Sequence, residues 1–393
     1  MMKRERLDEV AKKYGTPAYV FDLDMLRERV HMIKECLGER TKICFAMKAN
    51  PFLIDTLLNV ADCYEVCSPG EFHICEKAQI PMEQIVLSGV SKDREDIDYV
   101  LEQYDGKGIY TVESRLHLHI LEECAAKRNM VIRALVRVTS GNQFGLDEED
   151  VLDIFLHRNE YPHVEFQGIQ YYSGTQKKAA RIQKELEWLD ELMIRTERET
   201  GLEIRHLEYG PGFYVSYFEG DEEAEDRKLL EWFAEQLGKM HFDGQITLEM
   251  GRYIAAYCGY YLTSIVDRKK NKGQNYCIVD GGIHHLNYYG QMMAMKIPHY
   301  DQIQSGEREG REELWNICGS LCTVNDVLVK KLPLQSPKLG DVLVFKRAGA
   351  YSVTEGMYLF LSRDMPEIIF YEAEVGSRSV RRKRGTYEIN SAK

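Results

Sequence analysis

Lys42-Ile43-Cys44-Phe45-Ala46-Met47-Lys48-Ala49-Asn50-Pro51 is an apolar run that ends in a lysine and breaks at Asn-Pro. It predicts a buried strand whose last residue is Lys48, because β-compatible side chains give way there to a turn dipeptide. An amine at the end of a buried strand is costly unless it is neutralised or put to use. A Schiff base with an aldehyde does both, whereas an ordinary barrel-rim lysine snorkels to water. The rest of the chain has to decide between the two.

Outward from that run, strand-like segments recur near residues 63–67, 84–88, 108–112, 131–138, 164–172, 204–209 and 245–249. Helical patterns lie between them, for example at 52–61, 115–127, 178–200 and 224–239. With 42–47 this makes eight strands alternating with helices, an α/β pattern that predicts a (β/α)8 barrel, with a doubly wound open sheet as the alternative. Ahead of the run, 17–21 reads as a short strand. Asp22 and Asp24 then offer N-caps to a helix with Leu26, Val30, Ile33 and Leu37 on one face. Beyond residue 250 the texture changes to short β pieces at 257–266, 276–280, 341–345, 358–361 and 368–372, with no long helix and a polar stretch, 302–313, that reads as an exposed loop. This predicts a mostly β second domain of about 140 residues.

Composition bounds the function. The chain has 393 residues, 44% hydrophobic and 29% charged, enough for a large core and a soluble, globular protein of two domains. A net charge of -12 argues against nucleic acid or anionic membrane as partners. The run Arg378-Ser379-Val380-Arg381-Arg382-Lys383-Arg384 departs from that balance and reads as a solvated, frayed end, or as a contact for an acidic partner. Ten scattered cysteines without a CxxC pair suit a reducing cytoplasm, and no paired histidines accompany them, so no metal is expected. The charged first fifteen residues lack a signal-peptide core, and no apolar run approaches the roughly 20 residues of a membrane span.

In a barrel, chemistry sits at the C-terminal ends of the strands. There the sequence places Lys48, Glu65, Ser88, Arg137, Tyr172, Gly210-Pro211-Gly212 and Glu249-Met250-Gly251-Arg252. The bare Gly210-Pro211-Gly212 turn can cradle a phosphate or be only a turn. Arg252 can grip that phosphate or form a surface salt bridge. Glu249 can hold a proton on a pyridine nitrogen or pair with an arginine inside the mouth. Arg137 and Glu65 suit support of a cofactor or a structural ion pair. Adjacent His284 and His285 in a β segment suggest one exposed and one packed ring.

With these residues the chain resembles the fold-type III pyridoxal-phosphate-dependent amino acid decarboxylases, the group of diaminopimelate and ornithine decarboxylases, with alanine racemases as distant relatives. The resemblance runs from Tyr14-Gly15-Thr16-Pro17 to about Pro366. It rests on Phe45-Ala46-Met47-Lys48-Ala49-Asn50, Gln143-Phe144-Gly145, Glu249-Met250-Gly251-Arg252, the Gly319 to Asp326 stretch around Cys322, Gly340-Asp341 and Gly349-Ala350-Tyr351. It implies an alanine-racemase-like barrel over 25–245 and a β domain built from 1–24 and 246–393, in a head-to-tail homodimer with shared active sites. It also implies that Lys48 forms the internal aldimine with pyridoxal 5'-phosphate and that Glu249 pairs with the pyridinium nitrogen. Gly210, Gly212, Arg252 and Tyr351 would hold the phosphate, Gly251 would also line the cofactor site, and decarboxylation would pass through a quinonoid. Cys322 of the partner subunit would then protonate Cα.

Three positions depart from the family. Tyr172 stands where a histidine usually covers the cofactor ring. Thr323-Val324-Asn325 follows Cys322 where free diamino acid decarboxylases carry an acid. Gly281-Gly282-Ile283-His284-His285-Leu286-Asn287-Tyr288-Tyr289-Gly290-Gln291 lacks the arginine that would bind a distal carboxylate. A buried, unpaired carboxylate costs several kcal/mol, so free diaminopimelate is disfavoured. A pocket near Thr323, Glu355 and Phe360 suits a small amino acid or an aminoacyl group tethered to an acidic carrier protein. The rival readings are a racemase or epimerase on the same scaffold and a non-catalytic regulatory homologue.

Overall fold

The computed structural model describes residues 2–222, 225–289, 293–304 and 310–392. The chain divides into two compact units, one of Arg29–Val215 and Ala224–Ile254, the other of Met1–Glu28, Ser216–Glu223 and Ala255–Lys393.

In the first unit, eight parallel strands close into a barrel: Thr41–Ala46, Cys63–Val66, Ile85–Leu87, Ile109–Val112, Ile132–Val138, Val164–Tyr172, His206–Gly210 and Gln245–Met250. The last pairs back onto the first, with Cys44 opposite Glu249. An open sheet is thereby excluded. The expected boundary at 245 also moves, because Gln245–Met250 closes the barrel and the crossing falls after Ile254. The first strand stops at Ala46, two residues short of the expected Lys48. Lys48 lies instead in a 3-10 turn, Met47–Ala49. The expected helix at 52–61 shrinks to a 3-10 turn, Pro51–Leu53, and one helical turn, Ile54–Leu57. Leu58 then leaves helical backbone at ψ 129° and Asn59 takes φ 64°, which ends it. The long helix Ala179–Thr200 forms as expected, and Asp226–Lys239 forms within 224–239, with residue 224 outside the described residues.

Asp22 caps the helix Leu23–Leu37 by accepting from the Met25 amide at 3.1 Å. Leu26, Val30, Ile33 and Leu37 form its buried face. Asp24 sits inside the first turn and accepts from the Ala373 amide instead.

The second unit is a mixed, mostly β sheet. Its order is Val327–Gln335, Glu312–Cys318, Gln274–Val279, Gly259–Asn271, Ala18–Asp22, Glu367–Glu372 and Gly376–Arg381; Val342–Lys346 joins Gly259–Asn271 to Tyr300–Ile303. Four of these strands go beyond the sequence reading: Tyr300–Ile303 and Glu312–Cys318, which flank the expected loop, Val327–Gln335, and Gly376–Arg381. Residues 305–309 of that loop lie outside the described residues. The expected strand at 358–361 is a turn in which Leu361 has φ 57°. The basic run is not frayed, because its first half is an edge strand hydrogen-bonded to Glu367–Glu372. The unexpected helix Arg4–Tyr14 packs Leu7, Val10 and Ala11 against Val20, Leu262 and Val344 of the sheet. No helix among the described residues is long and apolar enough to cross a membrane.

Gly259 opens the longest strand of this sheet where the backbone of 348–349 passes directly over it. The Ala348 amide donates to the Gly259 carbonyl at 2.9 Å, and a Cβ at 259 would lie 2.2 Å from Gly349 Cα. Backbone cannot step aside as a flexible side chain can. Gly259→Ala is therefore expected to destabilise the fold by about 1–3 kcal/mol, read as a lower urea midpoint; an unchanged midpoint would show that the contact yields freely.

Candidate active site

Lys48 stands two residues beyond the end of the first barrel strand, between the strands that carry Glu65 and Glu249. Barrel register places Ala46 opposite Glu65 on one side and Cys44 opposite Glu249 on the other. The ammonium reaches both acids, with Nζ 2.6 Å from Glu65 Oε2 and 2.9 Å from Glu249 Oε1. Both carboxylates are buried while the lysine side chain is one-third exposed, so the amine faces the mouth from an acidic floor. Burial, and then repulsion from Glu65, push the Glu249 carboxyl up, against the pull of Lys48. A further cation beside Glu249 would therefore be stabilised.

Cys67 completes this group. Its Sγ donates to Glu65 Oε1 at 2.9 Å and lies 3.7 Å from Lys48 Nζ. Burial first, and the Glu65 charge second, push its thiol far up, which keeps it a protonated donor.

The glycine turn follows the seventh barrel strand. Tyr172, which ends the sixth, pairs in register with Gly210, and a Cβ at 210 would meet Tyr172 Cδ2 at 2.4 Å. Gly212 has φ 59°, and a Cβ there would lie 2.1 Å from the Gly174 carbonyl oxygen. Neither position admits another side chain, so the turn remains bare backbone. Gly251 is similarly confined: a Cβ there would lie 2.8 Å from Ala49 Cβ in the turn that carries Lys48. Arg252 opens the short helix Arg252–Ala255 directly after it. Burial raises the Tyr172 phenol, Glu249 adds to the rise, and Lys48 and Arg252 oppose it, which puts all four groups within one field.

Arg137 is spoken for. Its Nη1 lies 3.1 Å from Glu113 Oε2 in a buried ion pair, and its guanidinium stacks 4.7 Å from the Phe144 ring centroid. Deeper in the barrel, Gln170 Nε2 donates to Glu208 Oε1 at 2.6 Å and to Ser88 Oγ at 3.2 Å. Burial first, and then Glu249, push the fully enclosed Glu208 up to about 8.

Cys67, Glu113, Gln170 and Glu208 escaped the sequence reading. The period-2 alternation that makes Tyr172 and Gly210 face the mouth also aims Gln170 and Glu208 inward, and that was the available signal. Glu113 immediately follows a strand, but its ion pair with Arg137 spans two strands and has no local signature.

The remaining sequence-predicted residues belong to the second unit. Cys322 is exposed, in the loop held by Asp326, whose oxygens accept from the amides of Ile283 and Leu321. Tyr351 takes φ 66°, and its carbonyl accepts from the Thr354 and Glu355 amides. Glu355 lines a cavity of about 560 Å³ with Asn287, Tyr288, Val324, Asn325 and Met357; Thr323 and Phe360 are not among its walls. His284 and His285 are both buried, against the expectation of one exposed, with ring centroids 3.8 Å apart. Burial drives their pKa values down to about 4 and about 3. They follow the strand Gln274–Val279 in a turn, so no alternation separates them. Residues 290 and 291 of this segment lie outside the described residues.

Residues 23–256 match the family model of the pyridoxal-dependent decarboxylase, pyridoxal binding domain. The chain belongs to this family. It is 26% identical to the L-glutamyl-[BtrI acyl-carrier protein] decarboxylase of Niallia circulans, over 98% of this chain and 95% of that one. It is 25% identical to a diaminopimelate decarboxylase of Campylobacter jejuni, over 93% and 94%. The crystal structure of diaminopimelate decarboxylase from Helicobacter pylori complexed with L-lysine shares the fold, with a TM-score of 0.86, 23% identity and 98% of each chain covered.

Pyridoxal phosphate is the cofactor of this decarboxylase family, and the barrel's residues fit it. The amine of Lys48 matches the aldehyde, the bare turn the phosphate, and Glu249, which gains from a further cation, the protonated ring nitrogen.

Glu208 gives a pH signature. Its folded pKa of about 8 lies above the ordinary 4.5, so the protonated form is favoured by the fold. Its contribution to stability is full below pH 4.5 and is lost as pH rises through about 8. Glu208→Gln mimics the protonated acid. Thermal melts of the apoprotein are expected to show little change at pH 5 and a raised melting temperature for the variant at pH 8.5; an equal shift at both would refute the assignment.

Proposed function

We propose that this decarboxylase removes the free α-carboxylate of an aminoacyl group held on an acidic carrier protein through a thioester of its side-chain carboxyl. What carries the enzymatic part of this reading is the Lys48 amine between Glu65 and Glu249. What supports the tethered substrate is the want of countercharge. Thr323-Val324-Asn325 follows Cys322 without an acid, and residues 281–291 contain no arginine. A free diamino acid would bring its distal charge to segments that lack the acid and the arginine that such decarboxylases carry there. A carrier-bound group presents a neutral thioester instead, in keeping with the likeness to a carrier-protein glutamyl decarboxylase over nearly the whole chain. A free amino acid is the second reading, favoured by the comparable likeness to diaminopimelate decarboxylases.

In this reading Lys48 would hold the cofactor through its amine, which Glu65 and Glu249 position. Gly210, Gly212, Arg252 and Tyr351 would hold the phosphate, with Gly251 lining the cofactor site and Tyr172 available to the ring. Arg137, fixed by Glu113, and Glu65 support it from behind. Pyridoxal phosphate supplies an electron-poor ring that takes up the electron pair left when carbon dioxide departs. Glu249 keeps a proton on the ring nitrogen and so maintains that capacity. Cys322 of the partner subunit delivers the proton to Cα. Cys322, Val324, Phe360 and Leu361 are all exposed, which suits their being covered by a second copy of the chain. Outside the barrel, the exposed Arg378, Arg382 and Arg384 suit an acidic carrier.

Two experiments test this. Borohydride reduction and peptide mapping are expected to locate the cofactor on Lys48 and to find no adduct in Lys48→Ala; an adduct on another lysine would overturn the assignment. Against a panel of free amino acids and carrier-loaded aminoacyl thioesters, turnover is expected only with the latter. Arg382→Glu with Arg384→Glu should then raise KM for the loaded carrier and leave kcat unchanged. Rapid turnover of free lysine, ornithine or diaminopimelate would establish the second reading instead.

A further inference from the structure

Beneath the glycine turn lies a buried cation that the reaction as described leaves unused. Lys177, with a side chain 1% exposed, directs Nζ to Glu185 Oε2 at 2.6 Å, to the Gly210 carbonyl at 3.1 Å and to Ser173 Oγ at 3.1 Å. The same ammonium lies 6.0 Å from the Tyr172 ring centroid. Its backbone N–H donates to the Gly212 carbonyl at 2.9 Å, and its Cε is 2.7 Å from where a Gly212 Cβ would stand. Next to it, Gln176 makes a two-way bond with Val215, giving from Nε2 to the carbonyl at 2.8 Å and receiving the amide at 2.7 Å. The segment 173–177 is thus a strap along the whole of 210–215.

Two consequences follow. A trans peptide sets each N–H opposite the preceding C=O, so drawing the Gly212 carbonyl toward Lys177 turns the Phe213 N–H away from the strap. Pro211 has no N–H, which leaves Gly212 and Phe213 as the amide donors of the Pro211–Phe213 stretch. The second consequence is charge. Glu185 is the single anion of the cluster and accepts from Lys177, Tyr209, Ser173 and Arg181, so one carboxylate meets two cations. Arg181 is 59% exposed and its charge is screened by water, so the cation that acts on the turn is the buried Lys177 ammonium, 3.1 Å from the Gly210 carbonyl.

We infer that Lys177 is a positioning residue for the cofactor's phosphate: it aims the amides of the glycine turn and sets a positive charge under a loop that Pro211 deprives of one donor. This rests on the reading of Gly210–Gly212 as the phosphate site.

The test compares pyridoxal 5'-phosphate with pyridoxal, which lacks the phosphate, in absorbance titrations of the cofactor-stripped full chain. Lys177→Met is expected to bind the phosphorylated form about tenfold more weakly, the effect of one charge-assisted hydrogen bond, and pyridoxal as before. It should also shift the ³¹P resonance of the bound phosphate, and Lys177→Arg should recover most of the preference. Glu185→Gln, which removes the anion and keeps the shape, should retain or increase the preference; this variant decides the matter should Lys177→Met not fold. Equal weakening of both ligands by Lys177→Met, no weakening at all, or loss of the preference in Glu185→Gln would overturn the inference. Gly212→Ala separates the two levels: preference lost there but kept in Lys177→Met defeats only the role of Lys177, whereas preference kept in Gly212→Ala defeats the turn as the phosphate site and the inference with it.

Discussion

The barrel's arrangement depends on one electrostatic constraint: a lysine ammonium at the mouth must be shared between two buried carboxylates that come from the strands on either side of its own. In a closed parallel sheet the first strand has neighbours on both edges, and Glu65 and Glu249 occupy the nearest places on them. An open sheet would leave one of those edges unpaired. Closure therefore does more than bury apolar surface, because it brings residues 48 and 249, two hundred positions apart, to 2.9 Å.

Around that pair the polar groups are arranged in supporting tiers. Arg137 is held by Glu113 and Phe144, Glu208 by Gln170, and the glycine turn by the strap that carries Lys177. Each is largely enclosed, where a buried charge or amide without a partner would cost more than the partnered one contributes. Where two acids compete for one cation, burial and repulsion leave the carboxyl of Glu249 raised. A protonated ring nitrogen placed beside it would relieve that repulsion, which is the sense in which Glu249 fits the family's cofactor.

The second unit solves a different problem. Its sheet pairs an N-terminal strand, Ala18–Asp22, between Gly259–Asn271 and Glu367–Glu372, so strands distant in sequence share one core with the helix Arg4–Tyr14. Backbone passes so close at Gly259 and Gly349 that only glycine fits at both. The loop of Cys322 is shaped by Asp326, whose carboxylate takes up local amides and leaves the thiol exposed.

Much of this was legible in the sequence. Eight β-prone runs separated by helical ones gave the barrel, and strand-end position together with residue type picked out Lys48, Glu65, Tyr172, Gly210, Glu249 and Arg252, because period-2 alternation and turn chemistry are local properties. Local pattern also misled: Lys48 sits in a turn rather than on the strand, 52–61 barely winds into a helix, the strands at 312–318 and 376–381 are polar at many positions, and the one at 327–335 is interrupted by Lys330, Lys331 and Pro333. Only the tertiary structure decided that Cys67 stands beside Lys48, that Glu113 fixes Arg137, and that Lys177 lies under the glycine turn. These contacts join residues on different strands and loops, and their geometry is set by barrel register and burial, quantities that no single stretch of sequence contains.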